Sequence, residues 1–222
     1  MSLPGRPKGE YRSAQHEGTP VSADLRWHSA AAERNKAPIA AELQRWLLPA
    51  GVLLEVASGT GQHAAHCAAL MTAWHWQPSD ADPGALASIG AWCQGLANVL
   101  PPLSLQVTAD DWPGAPIGVD AVFCANMIHI APWPACTGLM NGVARHLAPH
   151  GCLVMYGPFI EAGVATAPSN LAFDADLRGR NAAWGLRHLD DVLGLARDAG
   201  LYLQQRVAMP SHNLLLVLAR RG

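Results

Sequence analysis

The chain has 222 residues, half of them apolar and 14% charged, which excludes a disordered chain and suits one domain with a sizeable core. A formal net charge of −2, with no clustered Lys and Arg, gives no electrostatic footprint for nucleic acid. No apolar run reaches the length of a membrane span, and no apolar signal core opens the chain. The five cysteines are scattered without C-x-x-C or finger spacing, so no metal is expected and a reducing, cytoplasmic setting fits.

Residues 1–22 are rich in Pro, Gly and charge and read as a flexible arm before a single domain over 23–222. From Ser29 to Leu48, Ala32, Ile39, Leu43, Trp46 and Leu47 recur at helical spacing, with Pro38 taken as part of a first turn. Strands are expected at 52–57, 74–78, 103–107, 119–125 and 151–157, and helices at 62–72, 83–96, 134–147 and 189–199. A lid-like insertion covers about 160–187. Two apolar runs, 201–208 and 213–219, lie too close together for a helix between them and must form a hairpin. The fold class is α/β: a seven-stranded, mostly parallel sheet with a C-terminal antiparallel hairpin and helices on both faces.

Ligands of open α/β sheets sit outside the carboxyl ends of the strands. At the first end, Leu53-Leu54-Glu55-Val56-Ala57-Ser58-Gly59-Thr60-Gly61 reads as strand, glycine turn and helix start. In a G-x-G-x-x-G fingerprint the third position is Ala64, which leaves a dinucleotide possible on spacing. Glu55 argues against it, because an anion has no use beside a pyrophosphate. The E-x-x-x-G-x-G turn resembles instead the first motif of class I S-adenosylmethionine (SAM) methyltransferases. There Glu55 would receive the cofactor's ammonium group, and Ala57, Gly59 and Gly61 would shape the loop. At the second end Asp80 is the candidate for the ribose hydroxyls, while Asp82 before Pro83 reads as a helix N-cap. After strand 3, Gln106, Asp110 or Asp111 would meet the adenine amine, with Trp112 as an apolar wall. At the fourth end stand Asn126, Met127 and His129, and at the fifth Tyr156; His129 and Tyr156 are the candidates for proton handling. In the lid, Asn170, Asp174, Arg178 and Trp184 are candidate acceptor contacts, with Arg180 and Arg187 suited to an anion. Arg34 and Asn35 open the first helix, where Arg34 would pair with the methionine carboxylate, and His63 is a candidate loop contact.

Taken together, these residues resemble domain-of-unknown-function family 938, the methyltransferase-like 26 type. The marks are A-A-E-R-N-K at 31–36, L-E-V-A-S-G-T-G-Q-H at 54–63, W-Q-P-S-D at 76–80 and N-M-I-H at 126–129. They continue with Y-G-P-F at 156–159, R-G-R-N-A-A-W-G-L-R at 178–187 and M-P at 209–210. The resemblance spans about residues 30–220 and implies a Rossmann-like class I methyltransferase fold with SAM as cofactor. Two departures stand out: Leu105-Gln106-Val107 where L-D-V is usual, and Arg187-His188 where an arginine–aspartate pair is usual. The expected function is SAM-dependent methylation of a small molecule. The alternatives are a non-catalytic SAM-binding or interaction module and an NAD(P)-dependent oxidoreductase.

Overall fold

A computed structural model describes residues 24–221, so the expected arm at 1–22 lies outside the described residues. Helix α1 (Ala30–Trp46) starts at Ser29, whose hydroxyl accepts the Ala32 N–H. Pro38 therefore lies inside the helix and not in its first turn as expected. A proline there cannot donate to the carbonyl four residues back, which leaves the Arg34 carbonyl without its helical bond. Next come β1 (Gly51–Val56), α2 (Gln62–Leu70), β2 (Trp74–Asp80) and α3 (Pro83–Trp92). They are followed by β3 (Leu103–Ser104), β4 (Val119–Ala125), α4 (Pro134–His146) and β5 (Leu147–Gly157). The rest is β6 (Phe159–Ile160), α5 (Pro168–Arg180), β7 (Arg187–His188), α6 (Leu189–Asp198), β8 (Tyr202–Met209) and β9 (Asn213–Ala219).

Seven strands form one sheet in the order β3-β2-β1-β4-β5-β9-β8. The first five run parallel; β9 is antiparallel to both β5 and β8, as the short connection requires. Side chains alternate between two cores. Leu54, Val56, Val122, Cys124, Leu153 and Met155 face α4 and α6. Leu53, Phe123, Val154 and Tyr156 face α1, α2 and α3.

Three boundaries differ from expectation by three residues or more. β3 keeps only two residues, because past Ser104 the chain turns, with the Ala109 N–H reaching the Gln106 carbonyl. α3 stops at Trp92, with Gly95 in a left-handed turn just beyond it. β5 begins at Leu147, paired with Val119 ahead of an irregularity. The expected lid is one helix, α5, flanked by the short parallel pair β6–β7.

Trp112 is buried against α4, stacked on His146 with ring centroids 5.1 Å apart. It is therefore a core residue and not the expected wall for a base. Gly142 makes room for it: a Cβ there would lie 1.9 Å from the Trp112 ring. Gly142→Ala should thus destabilise despite the better helix propensity of alanine, by about 1–3 kcal/mol net. A thermal melt should show a drop of roughly 3–10 °C; an unchanged midpoint would mean that the ring shifts freely.

Candidate functional site

Backbone strain marks one edge of the sheet. Among the described residues, the non-glycine residues with positive φ are Ala57 (57°), Asn126 (59°), Ser211 (60°) and His212 (57°). Ala57 follows β1, Asn126 follows β4, and the other two precede β9, whose start pairs with the end of β5. All four lie at the carboxyl ends of the parallel strands. Such strain persists only where the surroundings fix it, and it gathers at binding sites.

The loop after β1 is the most constrained part. Gly61 (φ 89°) needs its bare Cα, because a Cβ would come within 2.7 Å of the Ile89 backbone. Gly59 (φ 58°) has no heavy atom within 4 Å of where its Cβ would stand, so the loop presents open space there. Its N–H donates to Asp80 Oδ2 at 2.9 Å, while Asp80 Oδ1 accepts the Asp82 N–H at 3.0 Å. One half-buried carboxylate thereby joins the ends of β1 and β2. Asp82 caps α3 through the Gly84 N–H at 2.8 Å, the role its place before Pro83 suggested.

Glu55 does not face that space. It is 2% exposed, with Oε2 accepting the Trp76 indole N–H at 2.7 Å. Burial pushes its carboxyl up to about 8. As placed, Glu55 lies beneath the loop and is not in the open space where the ammonium contact was expected.

His129 is corrected as well. It is fully buried, and neither ring nitrogen has a partner. Its ring stands edge-on to Phe159, with Nε2 against Gly157, where a Cβ would come within 2.5 Å. Burial, with the Arg187 charge nearby, brings its pKa down to about 3. As placed, it is no reachable base. The expected lid, α5 with the following residues 181–187, forms a strap pinned beside it. The Gly185 N–H donates to the His129 carbonyl at 2.9 Å. Arg187 donates to the carbonyls of Ile128 (2.9 Å), Ala131 (2.7 Å) and Ala183 (2.9 Å).

The expected acceptor contacts in the strap are engaged there instead. Asp174 accepts from Arg178 Nε at 2.8 Å and from the Leu186 N–H at 2.7 Å. Arg180 lies over the Trp184 ring, 5.2 Å from its centroid. Asn170 is buried and donates to the His212 carbonyl at 3.0 Å. Met127 is buried, and Asn126 donates its N–H to the Tyr156 carbonyl at 2.8 Å.

A polar cluster joins α1 and α2 to the sheet edge. Asn35 Oδ1 lies 2.7 Å from His63 Nε2, and the Asn35 and Asn213 side chains lie beside the Tyr156 phenol. Gln62 accepts the Ser29 N–H at 2.6 Å and donates to Glu33 at 2.9 Å, while Lys36 pairs with Glu33 at 2.5 Å. Arg34 is exposed beside them, and its charge reaches the Tyr156 phenol. Asn213 and Gln62 were not anticipated from the sequence, since the first looked like a strand start and the second like an ordinary first helical residue. After β3, Gln106, Asp110 and Asp111 are exposed. A cavity of about 290 Å³ brings Asp110 together with Trp133, Thr137, Asn141 and Arg145 of the α4 side.

Solved structures share this architecture. The mitomycin 7-O-methyltransferase MmcR matches with a TM-score of 0.72 at 15% identity, over 86% of this chain and 55% of its own. CalO1, a methyltransferase in calicheamicin biosynthesis in its SAH-bound form, matches at 0.66 and 16%, over 86% and 56%. An O-methyltransferase family protein from Burkholderia thailandensis matches at 0.69 and 17%, over 87% and 59%. The chain thus spans little more than half the length of the structures it matches, and it has the Rossmann-like methyltransferase fold. A family profile described as "Protein of unknown function (DUF938)" matches residues 26–220, so the chain belongs to the DUF938 family.

Proposed function

We propose that the protein is a cytoplasmic S-adenosylmethionine-dependent methyltransferase acting on a small molecule. The observation that carries this reading is the joint of Gly59 and Asp80: an open glycine loop with a carboxylate bonded to its backbone, at the ends of two adjacent parallel strands. The donor set fits an adenosyl sulfonium. Asp80 keeps acceptor capacity for ribose hydroxyls beyond the two N–H groups it already binds. Gly59 lets a ligand approach without a Cβ in the way, Ala57 adds only a methyl group, Gly61 lets the loop close on α3, and Arg34 and Asn35 stand where a carboxylate would be received. Asp110 and Gln106 remain the adenine-side candidates, with the neighbouring cavity to accommodate them. Asn126 and Met127 close the side at β4. When bound, the cofactor supplies an electrophilic methyl group.

The chain's own residues have a simple task, because displacement at a methyl group depends mainly on alignment. The cluster at Asn35, Tyr156 and Asn213 orients the acceptor. The strap pinned by Arg187 keeps water away from the β4 end. Tyr156 handles protons as a donor, since burial raises its phenol and keeps it protonated.

Among the described residues no helix is long and apolar enough to cross a membrane. The net charge of −2 agrees with a small-molecule acceptor over nucleic acid. The pinned strap favours one second reading, a SAM-binding module that transfers nothing. Calorimetric titration with SAM and with S-adenosylhomocysteine (SAH), NAD serving as control, tests the cofactor. Micromolar binding of the first two, without NAD, is expected; no binding would sink both readings. Methyl-labelled SAM incubated with a small-molecule extract then separates them: label in product supports transfer, and binding without transfer supports the module.

A further inference from the structure

The glycine loop is held from the α3 side as well as by Asp80. Thr60 lies between Gly59 and Gly61, and its carbonyl accepts the Ser88 hydroxyl of α3 at 2.7 Å. Ser88 is fully buried, and its oxygen accepts the Trp27 N–H at 2.7 Å. One hydroxyl thus donates to the loop and accepts from the chain ahead of α1. The next residue of α3, Ile89, is the one whose backbone a Cβ on Gly61 would strike at 2.7 Å. Two adjacent residues of α3 therefore set the shape of the loop.

Residues 27–29 are themselves fastened at both ends. The Trp27 carbonyl accepts the Trp92 indole N–H at 2.8 Å, and the Trp27 ring lies on Gly84, where a Cβ would come within 2.7 Å of it. The Ser29 N–H donates to Gln62 Oε1 at 2.6 Å, and the same oxygen accepts the Thr60 hydroxyl at 3.1 Å. Thr60 is gripped through its carbonyl and through its hydroxyl, and both grips lead to residues 27–29. The position of a Gly59 Cβ, by contrast, is open space.

We propose that Ser88 is a positioning residue for the cofactor: by tying Thr60 to residues 27–29, it holds the glycine loop in its binding shape before the ligand arrives. This rests on the methyltransferase reading for the identity of the ligand. Ser88 acts through Thr60, since its own side chain is sealed between the loop and Trp27. Without the hydroxyl, the Thr60 carbonyl and the Trp27 N–H both lose this partner, and the peptide units beside Thr60 are freer to rotate. The apparent Kd then rises as the fraction of molecules with a competent loop falls.

Calorimetric titration of SAH into the full chain tests this, at a temperature well below every melting midpoint. Ser88→Ala should weaken SAH binding roughly tenfold, as for a loop that keeps its shape about a tenth of the time. Gly142→Ala, which loosens the core at α4 and leaves the loop alone, should keep the wild-type affinity. Wild-type affinity in Ser88→Ala, or an equal loss in Gly142→Ala, would overturn the proposal. Trp27→Ala guards against misfolding of the first variant, because Trp27 is 45% exposed and belongs to neither core. It should weaken SAH roughly threefold or more, and an unchanged affinity would overturn the tie to residues 27–29. Amide hydrogen exchange without ligand gives a readout independent of SAH. The Gly59 and Gly61 amides should exchange about ten times faster in Ser88→Ala than in Gly142→Ala; equal rates would also overturn the proposal. If the wild type binds no SAH, the methyltransferase reading fails, and the exchange rates still decide whether Ser88 holds the loop.

Discussion

Asp80→Ala should weaken SAH binding by about two orders of magnitude or more. The wild-type carboxylate holds the Gly59 N–H at 2.9 Å and the Asp82 N–H at 3.0 Å. It therefore fixes the glycine loop to the end of β2 before any ligand arrives. In the proposed complex it also accepts from the ribose. Hydrogen bonds to a charged group are worth about 1.5–3 kcal/mol each. Loss of the ribose contacts and of the preformed loop together gives roughly 3–5 kcal/mol, a factor of about 100 to several thousand in Kd. Asp80→Asn keeps one carbonyl oxygen for a backbone N–H, so its loss should be smaller, roughly tenfold. Calorimetric titration of SAH into the three proteins measures both effects. The melting midpoint should fall by only a few degrees, because Asp80 lies at the rim and not in either core. An unchanged affinity in the alanine variant would remove Asp80 from the site and, with it, the observation on which the functional reading rests.

The sheet was legible because its signal is local. Apolar runs bounded by Gly and Pro mark buried strands, and the short Met209–Asn213 connection allowed only an antiparallel pair. The cap at Asp82 was legible for the same reason, since cap, proline and helix adjoin in sequence. β3 was overcalled because Leu105 and Val107 are buried while Gln106 is exposed, an alternation that a turn packed on the core copies. The site was harder to read, because polar residues resemble ligand contacts until their partners are seen. Asp174 and Arg178 are a helical pair at i,i+4 with a further bond to the Leu186 N–H. His129 at a strand end has the pattern of a catalytic base. What seals it, Phe159, Gly185 and Arg187, comes from 30 or more residues further along the chain. Trp112 drew attention as an aromatic beside aspartates, but its slot is made by Gly142 on another element. Asn213 gave no signal, because it is placed by a strained turn that the sequence Pro210-Ser211-His212 does not announce.

Replacing Glu55 by Gln should stabilise the protein at alkaline pH and change little in acid. Glu55 is buried beneath the glycine loop, and its main polar partner is the Trp76 indole N–H at 2.7 Å. Desolvation raises its carboxyl from 4.5 to about 8, against the weaker lowering by the Trp76 indole N–H and the nearby Ser58 hydroxyl. A raised folded-state value means that the native protein holds a proton that the unfolded chain releases. The stability tied to that proton is fully present below about pH 4.5, falls as the pH rises, and is lost by about pH 8. The whole loss amounts to about 3–5 kcal/mol across that window. Glutamine keeps an oxygen to accept the indole N–H, has nearly the same volume and cannot ionise. Denaturant unfolding of wild type and Glu55→Gln between pH 5 and pH 8.5 should therefore give curves that start close together and diverge, with the variant flatter and several kcal/mol more stable at the alkaline end. Parallel curves would mean that Glu55 is ionised in the native state, with its charge compensated at the carboxyl edge. In that case the first reading of Glu55, as the carboxylate that receives the cofactor's ammonium group, would be restored.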